Sequence, residues 1–228
     1  MWNATVLSLF PEMFPGTLDF SLAGKALKKG LWNLKKINIR DFSNDKNGKV
    51  DDVPFGGGHG MVIKPDVLDK ALKSVSEDKG PRIYLSPRGK KFDQAFAKSL
   101  SKEKGAVFIC GRYEGVDERF LIQNNVEEIS VGDFIMSGGE IGAQIIMDAT
   151  IRLLPNVIGN TKGLVEESFE NNLLEYPLYT YPRVWNEIEV PKVLMSGDHK
   201  KIKMWKIKMS ENITKSKRPD LWSKYIKS

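Results

Sequence analysis

The segment Ser137-Gly138-Gly139-Glu140 combines residues that can start a helix with residues that can admit a ligand. Ser137 followed three residues later by Glu140 fits a capping box, which predicts a helix over 138–153. Capping does not explain two adjacent glycines in the first turn, because alanine forms a more stable helix. Glycine lets a ligand approach backbone N–H groups closely. The spacing matches neither a dinucleotide fingerprint nor a P-loop, so it predicts a close-approach pocket without specifying the ligand.

Two further glycine-bearing segments follow predicted strands. Ser86-Pro87-Arg88-Gly89 follows a strand over 81–86, and Gly111 to Gly115 follows a strand over 105–110. In open parallel sheets, ligands bind outside the carboxyl ends of the strands. The two segments and 137–140 are therefore predicted to surround one pocket. The alternative is that each segment is an ordinary turn.

The charged residues near these segments can each be interpreted as functional or as purely structural. A dense cluster could face the pocket or could be a solvated helix start with ordinary ion pairs; it comprises Arg112, Glu114, Asp117, Glu118 and Arg119. Arg152, at the end of the apolar helix, could direct its guanidinium to the pocket or could cap the helix through its dipole. The carboxylates Glu166 and Glu167 lie in an irregular segment, where acidic pairs are usually solvated.

The segment Phe55-Gly56-Gly57-Gly58-His59-Gly60-Met61 is a second glycine-rich stretch. Its glycines are costly to order, which favours a loop that closes over a substrate or wraps another chain. The alternative is a plain surface loop. His59 could titrate near neutral pH, but its position gives no reason to assign it as a base.

Charge is concentrated in one part of the 228-residue chain. Residues 198–228 contain ten Lys or Arg and three Asp or Glu, whereas the whole chain has a net charge of +6. Trp205, Trp222 and Tyr225 are interleaved with these charges, which favours contact with RNA or DNA. The alternative is a solvated helical face that docks its aromatic rings into a core.

The amino-acid composition argues against three further features: a disulfide, a zinc site and a membrane span. Cys110 is the only cysteine, which excludes a disulfide within the chain and favours a reducing compartment. One cysteine and two histidines make a zinc cage an unfavourable interpretation. No apolar run reaches the length of a membrane span. We therefore expect a cytoplasmic protein that has no membrane partner and no dedicated metal site.

Strand and helix patterns alternate over the first two thirds of the chain, which predicts an α/β fold with a mostly parallel sheet. Strands are predicted over 3–9, 34–40, 81–86, 105–110 and 126–131, with helices including 65–75 and 91–103. Ile202, Trp205 and Met209 share a helical face beyond an irregular stretch. We predict an α/β domain over 1–159, a flexible linker over 160–182 and a small basic helical domain over 183–228.

Taken together, these stretches resemble one family, the bacterial tRNA guanine-N1 methyltransferases that modify the guanosine immediately 3′ of the anticodon. The resemblance is carried by PFGGGHGMV (54–62), YLSPRGK (84–90), CGRYEGVDER (110–119), ISVGDFIMSGGE (129–140), DATIRLLPNVIG (148–159), SF (168–169), PLYTYP (177–182) and VPKVLMSGDHKKIKMWK (190–206). It implies a deep trefoil knot of the SPOUT type, S-adenosylmethionine as cofactor, and a homodimer with its active site at the subunit interface.

The resemblance also implies roles for individual residues. Cofactor-binding positions lie in the three pocket segments: Tyr84, Leu85, Ser86, Pro87, Gly111, Tyr113, Glu114, Gly115, Val131, Gly132, Phe134, Met136, Ser137, Gly138 and Gly139. On this basis Gly138 and Gly139 leave room for the cofactor. The tRNA-binding positions lie in the glycine loop and the basic segment: Gly57, Gly58, His59, Ser196, His199, Lys200, Lys201 and Lys203. Glu167 is the implied general base and Arg152 its partner.

The sequence departs from the family at some positions. Glu167 stands where relatives have aspartate, Gly142 where proline is common, and Tyr181 where arginine is common. Two other functions are kept as alternatives: a non-catalytic RNA-binding protein, and a related knotted methyltransferase that acts on ribose or on ribosomal RNA. Assistance by Mg²⁺ is also left open.

Overall fold

The computed structural model describes residues 1–159 and 167–227. Within residues 1–159, a five-stranded parallel sheet forms the centre of the fold. The strands are β1 (Trp2–Ser8), β2 (Trp32–Asn38), β3 (Asp51–Asp52), β4 (Val62–Ile63), β5 (Arg82–Lys91), β6 (Gly105–Ile109), β7 (Glu127–Ser130), β8 (Val184–Trp185) and β9 (Ile188–Glu189). The central sheet has the order β2-β1-β6-β5-β7, and all its neighbouring strands are parallel.

The α-helices are α1 (Ser21–Lys28), α2 (Pro65–Lys73), α3 (Gln94–Leu100), α4 (Glu118–Gln123), α5 (Gly139–Ile151), α6 (His199–Lys217) and α7 (Pro219–Tyr225). Short 3-10 helices span Pro11–Met13, Gly16–Asp19, Ile39–Phe42, Glu170–Asn172 and Lys192–Met195. Within the part of the chain that the structure describes, no helix is long and apolar enough to cross a membrane.

The sheet buries both of its faces, as its almost continuous apolar strands require. Every residue of β6 is buried. Ala106 and Phe108 pack into one hydrophobic cluster, whereas Val107 and Ile109 pack into another, because successive strand residues point to opposite faces. Helices α1 and α5 contribute to the first cluster, and α2 and α4 contribute to the second. The α/β class and the parallel sheet predicted from the sequence are confirmed.

The chain forms two compact units, Met1–Gly159 and Asn160–Ser228. In the second unit, Thr214 and Leu221 are buried. The backbone N–H of Leu174 donates to Thr214 Oγ1 at 2.8 Å, and the rings of Tyr179 and Trp205 lie 6.3 Å apart. These contacts fasten the segment before the hairpin β8–β9 to α6.

The structure corrects two predictions of secondary structure and leaves part of the predicted linker undescribed. Strand β5 continues to Lys91 instead of ending at residue 86, and the hairpin β8–β9 was not predicted. Residues 160–166 of the predicted linker, Glu166 among them, lie outside the described residues. The separate linker domain and the trefoil knot stay predictions.

Candidate functional site

A cleft of about 250 Å³ opens at the edge of the sheet where β5, β6 and β7 lead into loops. All the cofactor-binding positions implied by the sequence line it: Tyr84, Leu85, Ser86, Pro87, Gly111, Tyr113, Glu114, Gly115, Val131, Gly132, Phe134, Met136, Ser137, Gly138 and Gly139. The other lining residues are Arg112, Ile129, Ser130 and Ile135. The structure thus brings three segments that are distant in the sequence to one cleft.

The first wall of the cleft is an excursion from β5. Leu85 and Lys90 both pair with Ile129 of β7, so residues 86–89 leave the ladder and the strand then resumes. A side chain at Gly89 would collide with the backbone of β7 at Glu128 and Ile129, which explains the glycine. The segment therefore bulges into the cleft from within a strand, whereas the sequence suggested a strand end.

The second wall, Gly111 to Gly115, is joined to the glycine-rich stretch. Glu114 N–H donates to the Met61 carbonyl at 3.0 Å, and Ile63 N–H donates to the Gly115 carbonyl at 3.0 Å. A side chain at Gly60 would meet the Glu114 carboxylate at 2.5 Å. These contacts root the glycine-rich stretch at the rim of the cleft.

Beyond that root, the stretch projects outward. Gly57 and Gly58 have φ of +81° and +125°, which favour glycine, and side chains there would meet almost no other atoms. His59 and Phe55 are exposed. The tRNA-binding positions implied here therefore lie on an open loop beside the cleft.

The third wall, formed by residues 131–139, is followed directly by Glu140, which forms an ion pair with Arg112. The Ser8 hydroxyl donates to Glu140 Oε1 at 2.7 Å, and Arg112 Nε lies 3.0 Å from Glu140 Oε2. The second contact is electrostatic, since its geometry falls short of a hydrogen bond. Gly138 is the N-cap of α5 and no side chain caps the helix. The predicted capping box of Ser137 and Glu140 is therefore wrong, because Glu140 is engaged by residues from β1 and from the second wall.

The glycine pair is required by the protein itself. A Cβ at Gly139 would lie 2.9 Å from Cys110 Cα and 3.2 Å from Gly111 N, and Gly139 N–H donates to the Gly111 carbonyl at 3.0 Å. A Cβ at Gly138 would lie 2.6 Å from Glu140 Oε2. The two glycines let α5 start in direct contact with the end of β6. The sequence had predicted close approach, but by a ligand.

Two titratable groups near the cleft are neutral at physiological pH. Burial raises the pKa of the Tyr84 hydroxyl, and the nearby Glu128 carboxylate raises it further. Burial also raises the pKa of the Cys110 thiol well above its ordinary value, with a further contribution from Glu140. Both groups stay protonated, so they serve as parts of a neutral wall.

The implied catalytic pair is placed as follows. Arg152 is the C-cap residue of α5, and its backbone N–H donates to the Asp148 carbonyl at 3.2 Å. Glu167 is half-buried in the second unit, beside Ser168, whose hydroxyl accepts a hydrogen bond from Glu175 N–H at 3.0 Å. Arg152 therefore lies at the end of α5, which is the position that both interpretations of its side chain assumed.

The remaining tRNA-binding positions lie at the start of α6. Asp198 is the N-cap and accepts from Lys201 N–H at 3.1 Å; its carboxylate also pairs with Lys201 Nζ at 3.1 Å. These hydrogen bonds lower the pKa of Asp198. The Ser196 hydroxyl donates to the Val193 carbonyl. His199, Lys200 and Lys203 are exposed, so a basic surface surrounds the first turn of α6.

The aromatic residues of the basic segment are engaged within the protein. Trp205 packs with Tyr179, and the rings of Trp222 and Tyr225 lie 5.4 Å apart. The Tyr225 hydroxyl donates to Glu211 Oε1 at 2.9 Å. These contacts favour the interpretation in which the rings pack against the unit, so the lysines are the groups presented to a partner.

Comparison with known proteins assigns the chain to a family. A family model described as tRNA (guanine-1)-methyltransferase TrmD matches residues 2–224. The chain belongs to this family. A tRNA (guanine-N(1)-)-methyltransferase of Pelagibacter ubique is 54% identical over 229 residues, covering 100% of both chains. The enzyme of the same name from Rhodospirillum rubrum is 51% identical, covering 98% of this chain and 94% of its own.

Membership of the TrmD family implies S-adenosylmethionine as the methyl donor, and the cleft has a lining suited to it. Leu85 and Val131 provide apolar side chains against which an adenine ring can pack. Glycines leave main chain exposed on the opposite loops, and the Glu114 carboxylate lies at the rim. In contrast, the described residues contain no group of three or more His, Cys, Asp or Glu placed to hold a metal ion.

Sequence reasoning missed Ser8 and the pairing of Arg112 with Glu140. A weak signal for Glu140 existed, because it is a charged residue at the start of a largely apolar helix. Ser8 gave none, since its partner is 132 residues away in the chain. For Asp117, Glu118 and Arg119 the structure shows the solvated alternative: Arg119 pairs with Asp117 at 2.8 Å, and Glu118 pairs with Arg88 at 2.8 Å.

Proposed function

We propose that the protein transfers a methyl group from S-adenosylmethionine to N1 of a tRNA guanosine, the one immediately 3′ of the anticodon at position 37. The observation that carries the proposal is the family match over residues 2–224, together with relatives named for this reaction that align over the whole chain. The cleft supplies the physical support, because its lining suits the methyl donor. The setting of the reaction is the cytoplasm.

The cleft residues would hold the cofactor. When bound, S-adenosylmethionine supplies an activated methyl group on a sulfonium. Leu85 and Val131 would pack against its adenine, and the partly exposed main chain at Gly115 and Gly132 would approach it closely. Because orientation of the reacting atoms contributes strongly to rate, the main role of these loops is to fix the position of the donor.

Glu167 is the general base in this proposal. Guanine N1 carries a proton and is a poor nucleophile until that proton is removed. The Glu167 carboxylate takes the proton, and negative charge then spreads toward O6 of the base. The guanidinium of Arg152 stabilises that charge. Glutamate and aspartate have similar reference pKa values of about 4.3 and about 3.9, so the chemistry is retained in a chain with glutamate at this position.

The protein acts as a homodimer in this proposal, with Glu167 reaching the cofactor cleft of the opposite subunit. An exposed apolar surface on the first unit supports the dimer. Ile141 and Ile145 of α5 are exposed, as are Phe20 and Leu22. Gln144 Nε2 of α5 donates to the Met13 carbonyl at 3.1 Å, which places the segment before α1 against α5. A partner that covers this surface would remove apolar side chains from water.

Label transfer tests the proposal against its alternatives. The protein is incubated with S-adenosylmethionine tritiated in its methyl group and an unmodified tRNA with guanosine at position 37. The control tRNA has adenosine there. We expect label only in the first tRNA, and nucleoside mass spectrometry should identify N1-methylguanosine. Binding without transfer would favour the RNA-binding alternative, and label on ribose would favour a related methyltransferase; either result would contradict the proposal.

A further inference from the structure

A buried polar cluster lies behind the cleft. It consists of Ser8 at the end of β1, Glu140 in the first turn of α5, and Arg112 in the second cleft wall. Ser8 and Glu140 are fully buried. Arg112 lines the cleft, whereas Ser8 and Glu140 are outside its lining. Ser8 and Glu140 can therefore affect a ligand in the cleft only through the residues that they hold, Arg112 among them.

The guanidinium of Arg112 contacts several segments at once. Its Nε faces Glu140 at 3.0 Å, and its Nη1 donates to the Ser137 carbonyl at 3.3 Å. Its Nη2 donates to Met13 Sδ at 3.2 Å, and the group lies 4.6 Å from the centre of the Phe10 ring. One rigid, planar side chain thus joins the second wall of the cleft to the third wall.

The third wall packs directly against this pair. The chain crosses the ion pair at Gly138, where an added Cβ would lie 2.6 Å from both Arg112 Cδ and Glu140 Oε2. A buried charge that loses its partner is strongly unfavourable. Removing either member therefore forces the other to move or to take up water, and Gly138 moves with it.

We infer that Ser8, Glu140 and Arg112 act as positioning residues, which hold the second and third walls of the cleft at the separation that the methyl donor requires. The inference rests on the proposed function and adds two residues outside the cleft lining, Ser8 and Glu140, together with the Arg112 side chain that they hold. In the unliganded protein the cluster keeps the cleft assembled, so little binding energy is spent on ordering the loops.

Calorimetric titration with S-adenosylmethionine, well below the melting temperature, tests this. The variants are Glu140→Gln, Arg112→Lys and Ser8→Ala, and the control is Arg119→Lys, which changes an exposed arginine paired with Asp117. We expect Glu140→Gln and Arg112→Lys to raise Kd about tenfold or more, and Ser8→Ala to raise it about threefold. The control should bind as the wild type does. The double variant of Arg112 and Glu140 should lose little more than the worse single variant, because both act through one contact.

Kinetics with tRNA separates positioning from simple loss of stability. We expect KM for S-adenosylmethionine to rise while kcat at saturating cofactor stays within about threefold of the wild type. Lower melting temperatures with unchanged Kd and KM would overturn the inference. If Glu140→Gln fails to fold, Ser8→Ala still tests the inference, because it removes only one hydroxyl and is the milder change. A wild type that does not bind the cofactor would overturn the proposed function and the inference together, whereas normal binding by all variants would overturn the inference alone.

Discussion

The two units of the chain organise their polar groups in opposite ways. In Met1–Gly159, the charged pair of Arg112 and Glu140 is buried, and the loops around it are tied together by backbone hydrogen bonds. In Asn160–Ser228, the lysines at the start of α6 are exposed, and the aromatic side chains pack against each other at the surface. A fixed cleft suits a small, invariant cofactor. A solvated basic surface suits a long polyanion, since phosphate contacts need charge more than shape.

Positive charge is concentrated at the end of the second unit. Residues 198–228 hold ten basic and three acidic residues, and the other 197 residues hold twenty-five basic and twenty-six acidic ones. Residues 1–197, which span the first unit and the start of the second, are therefore close to neutral, whereas residues 198–228 attract a polyanion strongly. Substitutions in the first unit should accordingly affect cofactor binding. Substitutions in the second unit should affect tRNA binding or turnover.

The largest expected effect comes from Glu167 in the second unit. Glu167→Gln removes the proposed base and should lower turnover about a thousandfold, within the range for loss of general-base catalysis. Cofactor affinity measured by calorimetry should stay at the wild-type value, because the cleft lies in the first unit. Normal turnover in Glu167→Gln would refute the assignment.

The same variant tests whether one site draws on two subunits. Glu114→Ala removes an exposed carboxylate at the rim of the cleft and should weaken cofactor binding without disturbing the backbone. Mixing Glu167→Gln with Glu114→Ala subunits should restore part of the activity, since some mixed dimers keep one complete site. Light scattering should give the mass of a dimer; a monomer mass would contradict this arrangement.

Gly139→Val should have the next largest effect, and it acts on the first unit. Its Cβ would press on Cys110 and Gly111, so the change should destabilise the protein by about 1–3 kcal/mol, as overpacking of a dense core does. Cofactor affinity should fall because α5 is displaced from β6. The matched control is Gly159→Val, where a side chain meets open space. Thermal melting and calorimetry measure the two effects, and a Gly139→Val protein with wild-type stability would show that the contact is unimportant.

The smallest effect is expected from the surface charges. Replacing Lys200, Lys201 and Lys203 by Gln should weaken tRNA binding and reduce the slope of log affinity against log salt by about two to three, the number of phosphate contacts removed. The control replaces three exposed lysines of α1 and its C-cap, namely Lys25, Lys28 and Lys29. An unchanged slope in the first variant, or an equal loss in the control, would mean that α6 is not the site of phosphate contact.

Much of the fold followed from local patterns, whereas the errors arose where distant residues decide the structure. The strands were found because their apolar runs are continuous. The capping box at Ser137 failed because Glu140 bonds to Ser8 across the sheet. The end of β5 was misplaced because a proline-containing segment resembles a strand terminus, although the chain rejoins β7 at Lys90.

The hairpin β8–β9 was missed for a different reason. Its strands have two residues each, which is too short for an alternating pattern to emerge. Its turn is formed by Asn186 and Glu187, both with positive φ of 47° and 65°, and only the asparagine is typical of that conformation. The predicted cofactor-binding positions, in contrast, all line the cleft, because family motifs mark each of its three walls. The sequence did not predict the ion pair of Arg112 and Glu140 behind them.

Hydrogen–deuterium exchange tests the division between the two units most directly. Exchange is measured for the protein alone, with saturating S-adenosylmethionine, and with unmodified tRNA. We expect the cofactor to slow exchange in 84–89, 111–115 and 131–139 and to leave 196–203 unchanged. The tRNA should slow exchange in 196–203. Cofactor protection confined to 196–203, or absent from the three cleft segments, would contradict this division of roles.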